Sequence, residues 1–273
     1  MTSQTDLDKI AQRIKTARDE NRQLEPITSQ ASGFGLADAY EVAHRIHEAR
    51  LAEGAVAVGR KIGFTNSSIW PKYGVHAPVW GYLYDTTVVH AGNGRFTCPI
   101  GAFAEPKIEP EIAVHFSAAP PADSDLSAIL DCVDWVAHTF EIVQSHYPGW
   151  RFQAPDTVAN CALHGALLVG EQLPIDRLGT DPVEALESFS VTLLRDGEAM
   201  ETGRGANVLG GPMAAVAHLV AALAAQPQYP PLQAGELVTT GTLTAAYPIQ
   251  PGERWTSEIE GIPLPGLSAL LEP

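Results

Sequence analysis

Ten consecutive residues, KIEPEIAVHF at 107–116, restrict the fold more than any other stretch of this chain. Side chains alternate along a strand, so Ile108, Pro110, Ile112, Val114 and Phe116 share one face and require an apolar partner layer. Lys107, Glu109, Glu111, Ala113 and His115 share the other. The two carboxylates then point the same way from Cα atoms roughly 6–7 Å apart. Like charges at that range repel unless water or a cation lies between them. Either this is the solvated face of a half-buried strand, or it is half of a divalent-metal site.

A chain of 273 residues can bury a sizeable core, and 45% hydrophobic against 18% charged residues describes a globular protein. Lys and Arg number 17 against 32 Asp and Glu, a formal charge of −15. That balance argues against nucleic acid or an anionic membrane as main partner, while leaving room for a small anionic substrate held by a cation. Cys98, Cys132 and Cys161 form no CxxC pair, so neither a disulfide framework nor a zinc ribbon is expected. The first twenty residues are a charged helical pattern without the apolar core of a signal peptide. No apolar run is expected to reach the ~18–20 residues that span a bilayer. The simplest expectation is a soluble protein of a reducing compartment, the cytoplasm.

Residues 6–20 and 37–53 read as helices, the second ending at Gly54. From about residue 57 the texture changes to short strands punctuated by Gly and Pro: AVGRKIGFT, VWGYLYDTTVV, GRFTCPI and KIEPEIAVHF. Residues 124–137 read as a helix with Ser124 as N-cap, followed by strands at 140–145 and ending at 170. SFSVTLLRDGEAMETG reads as a hairpin turning at Asp196-Gly197, GGPMAAVAHLVAALAAQ as a buried helix, and ELVTTGTLTAAYPI and ERWTSEIEGI as strands. A helical arm over 1–56 preceding a β-rich body over 57–273 makes an α+β protein.

Nucleotide and serine-hydrolase sites are weakly supported. GRGANVLGG puts Val208 where a dinucleotide loop needs its third glycine, no Walker lysine follows, and there is no GxSxG. Cys161 and His164 read as core filler and a satisfied histidine. Glu141, among Phe140, Ile142 and Val143, is different: a carboxylate in such surroundings needs a partner. Three carboxylates completed by water is how Mg²⁺ or Mn²⁺ is commonly held. Lys61, on one face with Gly63 and Thr65, either snorkels to solvent or serves as proton donor or oxyanion anchor in the same cleft.

GRKIGFT, GVHAPVWGYLYD, PKIEPEIAV, FEIVQS…DTVAN and TTGTLTAAYPIQPGE together resemble the 2-keto-4-pentenoate hydratase / 4-oxalocrotonate decarboxylase branch of the fumarylacetoacetate hydrolase superfamily, from about residue 37 onward. The resemblance implies a mixed β-roll with an N-terminal helical arm, a divalent metal (usually Mg²⁺), and a small 2-keto or 2-hydroxydienoic acid substrate. It implies Glu109, Glu111 and Glu141 as metal ligands, Lys61 as the active-site lysine, and Asp85 as the first of an acidic pair near the site. Thr240, Gly241 and Thr242 fall on a loop that helps hold substrate. It also implies a homo-oligomer, with association to a related pathway enzyme known in the branch. The chain departs from the pattern at Thr86, Gln144, His146, Asn160, Cys161, Leu163 and His164. Around the matched segments Trp70, Trp80, Tyr82, Tyr84, Cys161 and Leu163 suggest an apolar tail pocket, with Arg151 the nearest cation. Hydration of a 2-hydroxydienoate follows more naturally from those residues than decarboxylation. A C–C bond hydrolase of the same superfamily would want a His–Glu pair to activate water, and no matching N-terminal pair is evident.

Overall fold

The computed structural model describes residues 4–67, 70, 75–122 and 124–273. The first residue of the GVHAPVWGYLYD motif, Gly74, lies outside them. The alternating stretch forms β5 (Lys107–Phe116), at the middle of an eight-stranded sheet. Its order is β2 (Val79–Tyr84), β1 (Ala57–Gly63), β10 (Leu237–Thr239), β5, β6 (Val133–Val143), β7 (His164–Pro174) and β3 (Val88–His90), with β11 (Tyr247–Pro248) also pairing to β5. The second sheet has five strands: β4 (Arg95–Pro99), β13 (Ser268–Glu272), β12 (Arg254–Glu260), β8 (Ser190–Arg195) and β9 (Glu198–Arg204). Pairs β1/β10, β3/β7 and β4/β13 are parallel and the others antiparallel, so the sheets are mixed. This is the α+β architecture with a helical arm that the sequence implies.

The apolar face of β5 divides between two cores. Ile108, with Phe140 and Ile142 of β6, packs on Leu193, Trp255 and Leu271 of the second sheet. Ile112, Val114 and Phe116 pack instead with α6 (Pro212–Ala224) through Met213, Val216 and Leu219. A proline in a central strand is tolerated for a local reason. The Pro110 carbonyl accepts from Leu243 N at 2.9 Å, so its missing N–H faces the gap between β10 and β11, away from β6.

The arm consists of α1 (Gln4–Asp19), α2 (Ile27–Gln30) and α3 (Leu36–Ala52). Leu7, Ile14, Val42 and Ile46 join the same apolar cluster as Val79, Tyr84 and Val158, so arm and body share a core. Thr28 fastens α2 to the body, its N and Oγ1 donating to Asp156 at 2.9 and 2.7 Å. Asp156 lies in α5 (Ala154–Ala159).

Three expectations are corrected. The helix expected over 124–137 shrinks to α4 (Leu126–Leu130), capped by Asp125 and not Ser124. From Val133 the chain is strand, because ten partners along β5 outweigh the helical periodicity of a short segment. ELVTTGTLTAAYPI is two short strands, β10 and β11, separated by a loop over 240–246 that runs past the acidic face of β5. Finally, Gly205–Ala224 reaches 20 residues and is long and apolar enough to cross a membrane. Half of it is buried inside the fold, where α6 serves as a core helix. The turn at Asp196-Gly197 forms as expected, both residues having positive φ (52° and 85°).

Candidate metal centre

Strand register assembles the site. Antiparallel pairing sets Glu109 opposite Glu141 and Glu111 opposite Thr139. Across β10, Lys61 of β1 aligns with Thr239 and then Ala113 of β5, which brings it to the same face. One oxygen from each of Glu109, Glu111 and Glu141 lies within 4.8 Å of the others. This face is not solvated: Ala113, Ala137, Leu167, Val169 and Leu237 form an apolar cluster on it. Glu111 and Glu141 are fully buried and Glu109 is half-buried.

Each carboxylate is held differently. Glu141 accepts from Lys61 Nζ at 2.8 Å through Oε2, and from His164 Nδ1 at 2.7 Å through Oε1. Because a carboxylate only accepts, the His164 proton sits on Nδ1; its Nε2 lies 2.9 Å from Thr87 Oγ1. Glu111 Oε2 accepts from Gly241 N at 3.0 Å. Gly241 has φ of 96°, and a Cβ there would lie 1.8 Å from Thr65 Oγ1, so only glycine brings this N–H to Glu111. Among the described residues, the buried atoms Glu111 Oε1, Thr139 Oγ1 and Thr239 Oγ1 have no hydrogen-bond partner.

The charges follow from this packing. Burial works against the Lys61 ammonium, but the charges of Glu141, Glu109 and Glu111 outweigh it and raise its pKa. Burial also opposes the Glu141 carboxylate, yet Lys61 and the His164 hydrogen bond hold it at about 2. Burial raises Glu109 to about 7 against the pull of Lys61, with the Glu141 charge adding. Burial and the Glu141 charge push Glu111 well above its usual range. A cluster of three carboxylates with one lysine is thus short of positive charge. An all-oxygen donor set with an unpartnered buried carboxylate oxygen fits a hard divalent cation such as Mg²⁺ or Mn²⁺.

A pH dependence follows. Glu109, raised from 4.5 to about 7, keeps a proton in the fold that the unfolded chain releases. It therefore subtracts stability from the metal-free protein as pH rises through that window. Glu141, lowered from 4.5 to about 2, has the opposite sign: its contribution is complete above 4.5 and lost only as pH falls toward 2. A cation held by Glu109 would need it ionised and would release its proton. The melting-temperature gain from a fixed Mg²⁺ concentration should be small near pH 5.5 and grow toward pH 8. A pH-independent gain would contradict this account.

Glu109 and Glu111 line a cavity whose other walls include Lys61, Phe64, Thr65, Val79, Lys107, Trp150, Phe152, Leu163, Gly241 and Thr242, while Glu141 lies behind them. Several expected residues are elsewhere. Asp85 is exposed, does not line the cavity, and accepts from Val56 N at 2.9 Å, so it closes the β1/β2 pair. Thr240 is turned inward, its Oγ1 donating to Ile112 O at 3.0 Å. Trp80, Tyr82, Tyr84 and Cys161 line a separate cleft against Tyr40 and His44 of the arm. Trp70 Nε1 donates to Phe64 O at 2.8 Å, and Trp70 is not among the cavity walls. Of the expected tail residues, Leu163 alone lines the cavity; Phe64, Trp150 and Phe152 supply the rings. Besides Lys61, the cation lining the cavity is Lys107, whose Nζ lies 3.9 Å from the Trp150 ring centroid; Arg151 does not line it. The alternation of KIEPEIAVHF already puts Lys107 on the acidic face. His164 carries no such local signal.

Comparison with known proteins adds the family. The model of the fumarylacetoacetate (FAA) hydrolase C-terminal family matches residues 64–264. The chain belongs to that family. As an FAA hydrolase family member it is similar to 2-keto-4-pentenoate hydratase of Paraburkholderia xenovorans (strain LB400), 31% identical over 258 residues, 93% of this chain and 91% of that one. It is equally similar to 4-oxalocrotonate decarboxylase of Pseudomonas sp. (strain CF600), 30% identical over 256 residues, 93% of this chain and 92% of the relative. Its fold superposes on 4-oxalocrotonate decarboxylase from Pseudomonas putida G7, complexed with magnesium and adipate. That match has a TM-score of 0.90 at 27% identity and covers 99% of both chains.

Proposed function

We propose that this family member is a divalent-metal-dependent lyase that adds water to a 2-hydroxy-2,4-dienoate (2-keto-4-enoate) to give a 4-hydroxy-2-keto acid. The observation that carries the reading is the three-carboxylate cluster beside a buried lysine, of which Glu109, Glu111 and Lys61 line a largely apolar cavity. Glu109, Glu111 and Glu141 would hold the cation. Mg²⁺ or Mn²⁺ there would supply a Lewis acid that stabilises the enolate charge of such an acid. Lys61 Nζ donates a hydrogen bond or a proton to the oxygen on which negative charge develops. The Gly241 N–H keeps Glu111 turned toward the cluster. Phe64, Val79, Phe152 and Leu163 give the substrate tail an apolar wall. Among the described residues no histidine lines the cavity, which leaves the alternative of C–C bond hydrolysis without its water activator. The reading includes a homo-oligomer in the cytoplasm, which the three free cysteines suit.

One observation favours a second reaction. Lys107 stands two residues from Glu109 on the same strand face and lines the cavity. Such a cation suits the far carboxylate of a dicarboxylic 2-keto acid, the substrate shape a decarboxylase needs, and one solved relative is complexed with the dicarboxylate adipate. Purified protein with Mg²⁺, given 2-hydroxypenta-2,4-dienoate and 4-oxalocrotonate separately, distinguishes the two. Hydration of the first, little changed in Lys107→Met, is expected. CO₂ from the second without hydration of the first, with KM raised ~10-fold or more in Lys107→Met, would overturn hydration in favour of decarboxylation.

A further inference from the structure

Cys161, Ala162 and Leu163 have φ of 53°, 50° and 63°, three consecutive non-glycine residues in the left-handed region. Such backbone persists only where its surroundings hold it. This turn matters to the site twice. Ala162 and Leu163 form cavity wall, and His164 at its exit holds Glu141. One hold on the turn comes from the arm. Arg18 of α1 donates through one terminal nitrogen to Asn160 O (3.1 Å) and Asn160 Oδ1 (2.9 Å), and through the other to His164 O (2.8 Å). One planar guanidinium therefore bridges the entry and exit of the strained segment, a geometry a lysine cannot copy.

Gln144, His146, Asn160 and His164, four of the positions at which the sequence departs from the pattern it resembles, surround this bridge. Gln144 donates from N to Leu163 O (2.9 Å) and from Nε2 to His164 O (3.3 Å). Asn160 Nδ2 lies 3.3 Å from His146 Nδ1. Gln144, His146, Asn160 and His164 thus form one network closed by Arg18, not a set of scattered changes. We propose that Arg18 is a positioning residue. Its clamp on the 160–164 turn sets Leu163 against the substrate tail and orients Glu141 through His164. The proposal rests on the metal-dependent reading above. Arg50, the other arginine near the turn, is engaged by Asp19 and Glu53 and does not substitute.

The test compares Arg18→Ala and Arg18→Lys with Arg45→Ala, which breaks the ion pairs to Asp8 and Glu41 within the arm. Mg²⁺ affinity is measured by calorimetry. Alkylation of half-buried Cys161 by iodoacetamide is followed by mass spectrometry, with buried Cys98 and Cys132 as internal references. Arg18→Ala should weaken Mg²⁺ about tenfold, the loss typical of removing support behind a ligand, and speed Cys161 alkylation several-fold. Arg18→Lys should fall between, and Arg45→Ala should match wild type. Wild-type values in Arg18→Ala and Arg18→Lys, or equal changes in Arg45→Ala, would overturn the clamp. Failure of wild type to bind Mg²⁺ would strike the metal reading alone, since the alkylation rates still decide the clamp.

Discussion

Replacing Glu111 with glutamine should abolish metal-dependent turnover while leaving the metal-free protein at least as stable as wild type. Glu111 is fully buried, with one oxygen on Gly241 N and the other unpartnered among the described residues. Its neighbours Glu109 and Glu141 offer oxygens within 4.8 Å. At an effective dielectric of about 20, each such pair would repel by roughly 3 kcal/mol if both groups were ionised, and burial with this repulsion drives Glu111 to take up a proton in the metal-free protein. Glutamine keeps the shape and the bond from Gly241 but removes that repulsion and the drive to take up a proton. The metal-free variant should therefore melt at or above wild type, by about 2–4 °C per kcal/mol relieved. With Mg²⁺ the order reverses. Wild type gains about 2.7 kcal/mol when the cation is at a hundred times its dissociation constant, and the variant gains little. Equal Mg²⁺-induced shifts in the two proteins would refute the three-carboxylate site.

Lys61→Met should lose turnover by about 10²–10⁴-fold without losing the cation. Lys61 is buried and donates to Glu141 Oε2 at 2.8 Å, so ammonium and a bound cation would compete for one carboxylate. Removing the ammonium should leave Mg²⁺ affinity unchanged or raised, while substrate loses its donor. The cost appears in the metal-free state. A buried pair broken on one side typically loses about 3–5 kcal/mol, reduced here because His164 still holds Glu141. The metal-free variant should melt below wild type, and Mg²⁺ should restore much of the difference. Lys61→Arg should not recover activity, because a guanidinium that never deprotonates is a poor proton shuttle. Near-wild-type turnover in Lys61→Met would return this lysine to a structural role.

Local chemistry alone determined that 107–116 is a strand with an apolar face and an acidic one, because side-chain alternation is a property of the backbone. It likewise determined the two long helices of the arm, the Asp196-Gly197 turn and the core helix at Pro212–Ala224, whose signals lie within a few residues of one another. The motif resemblance singled out Lys61, Glu109, Glu111 and Glu141, but only strand register decides that Glu141 sits opposite Glu109 and that Lys61 reaches the same face across β10. The tertiary structure also turned 133–137 from helix to strand, moved Asp85 to an exposed turn, and took Trp80, Tyr82 and Tyr84 out of the cavity to pack against the arm. His164 and Arg18 owe their positions to contacts 23 and 146 residues away along the chain, at Glu141 and His164 respectively. No local pattern carries such a pairing, because it depends on how distant segments pack and not on the spacing of residues within either one.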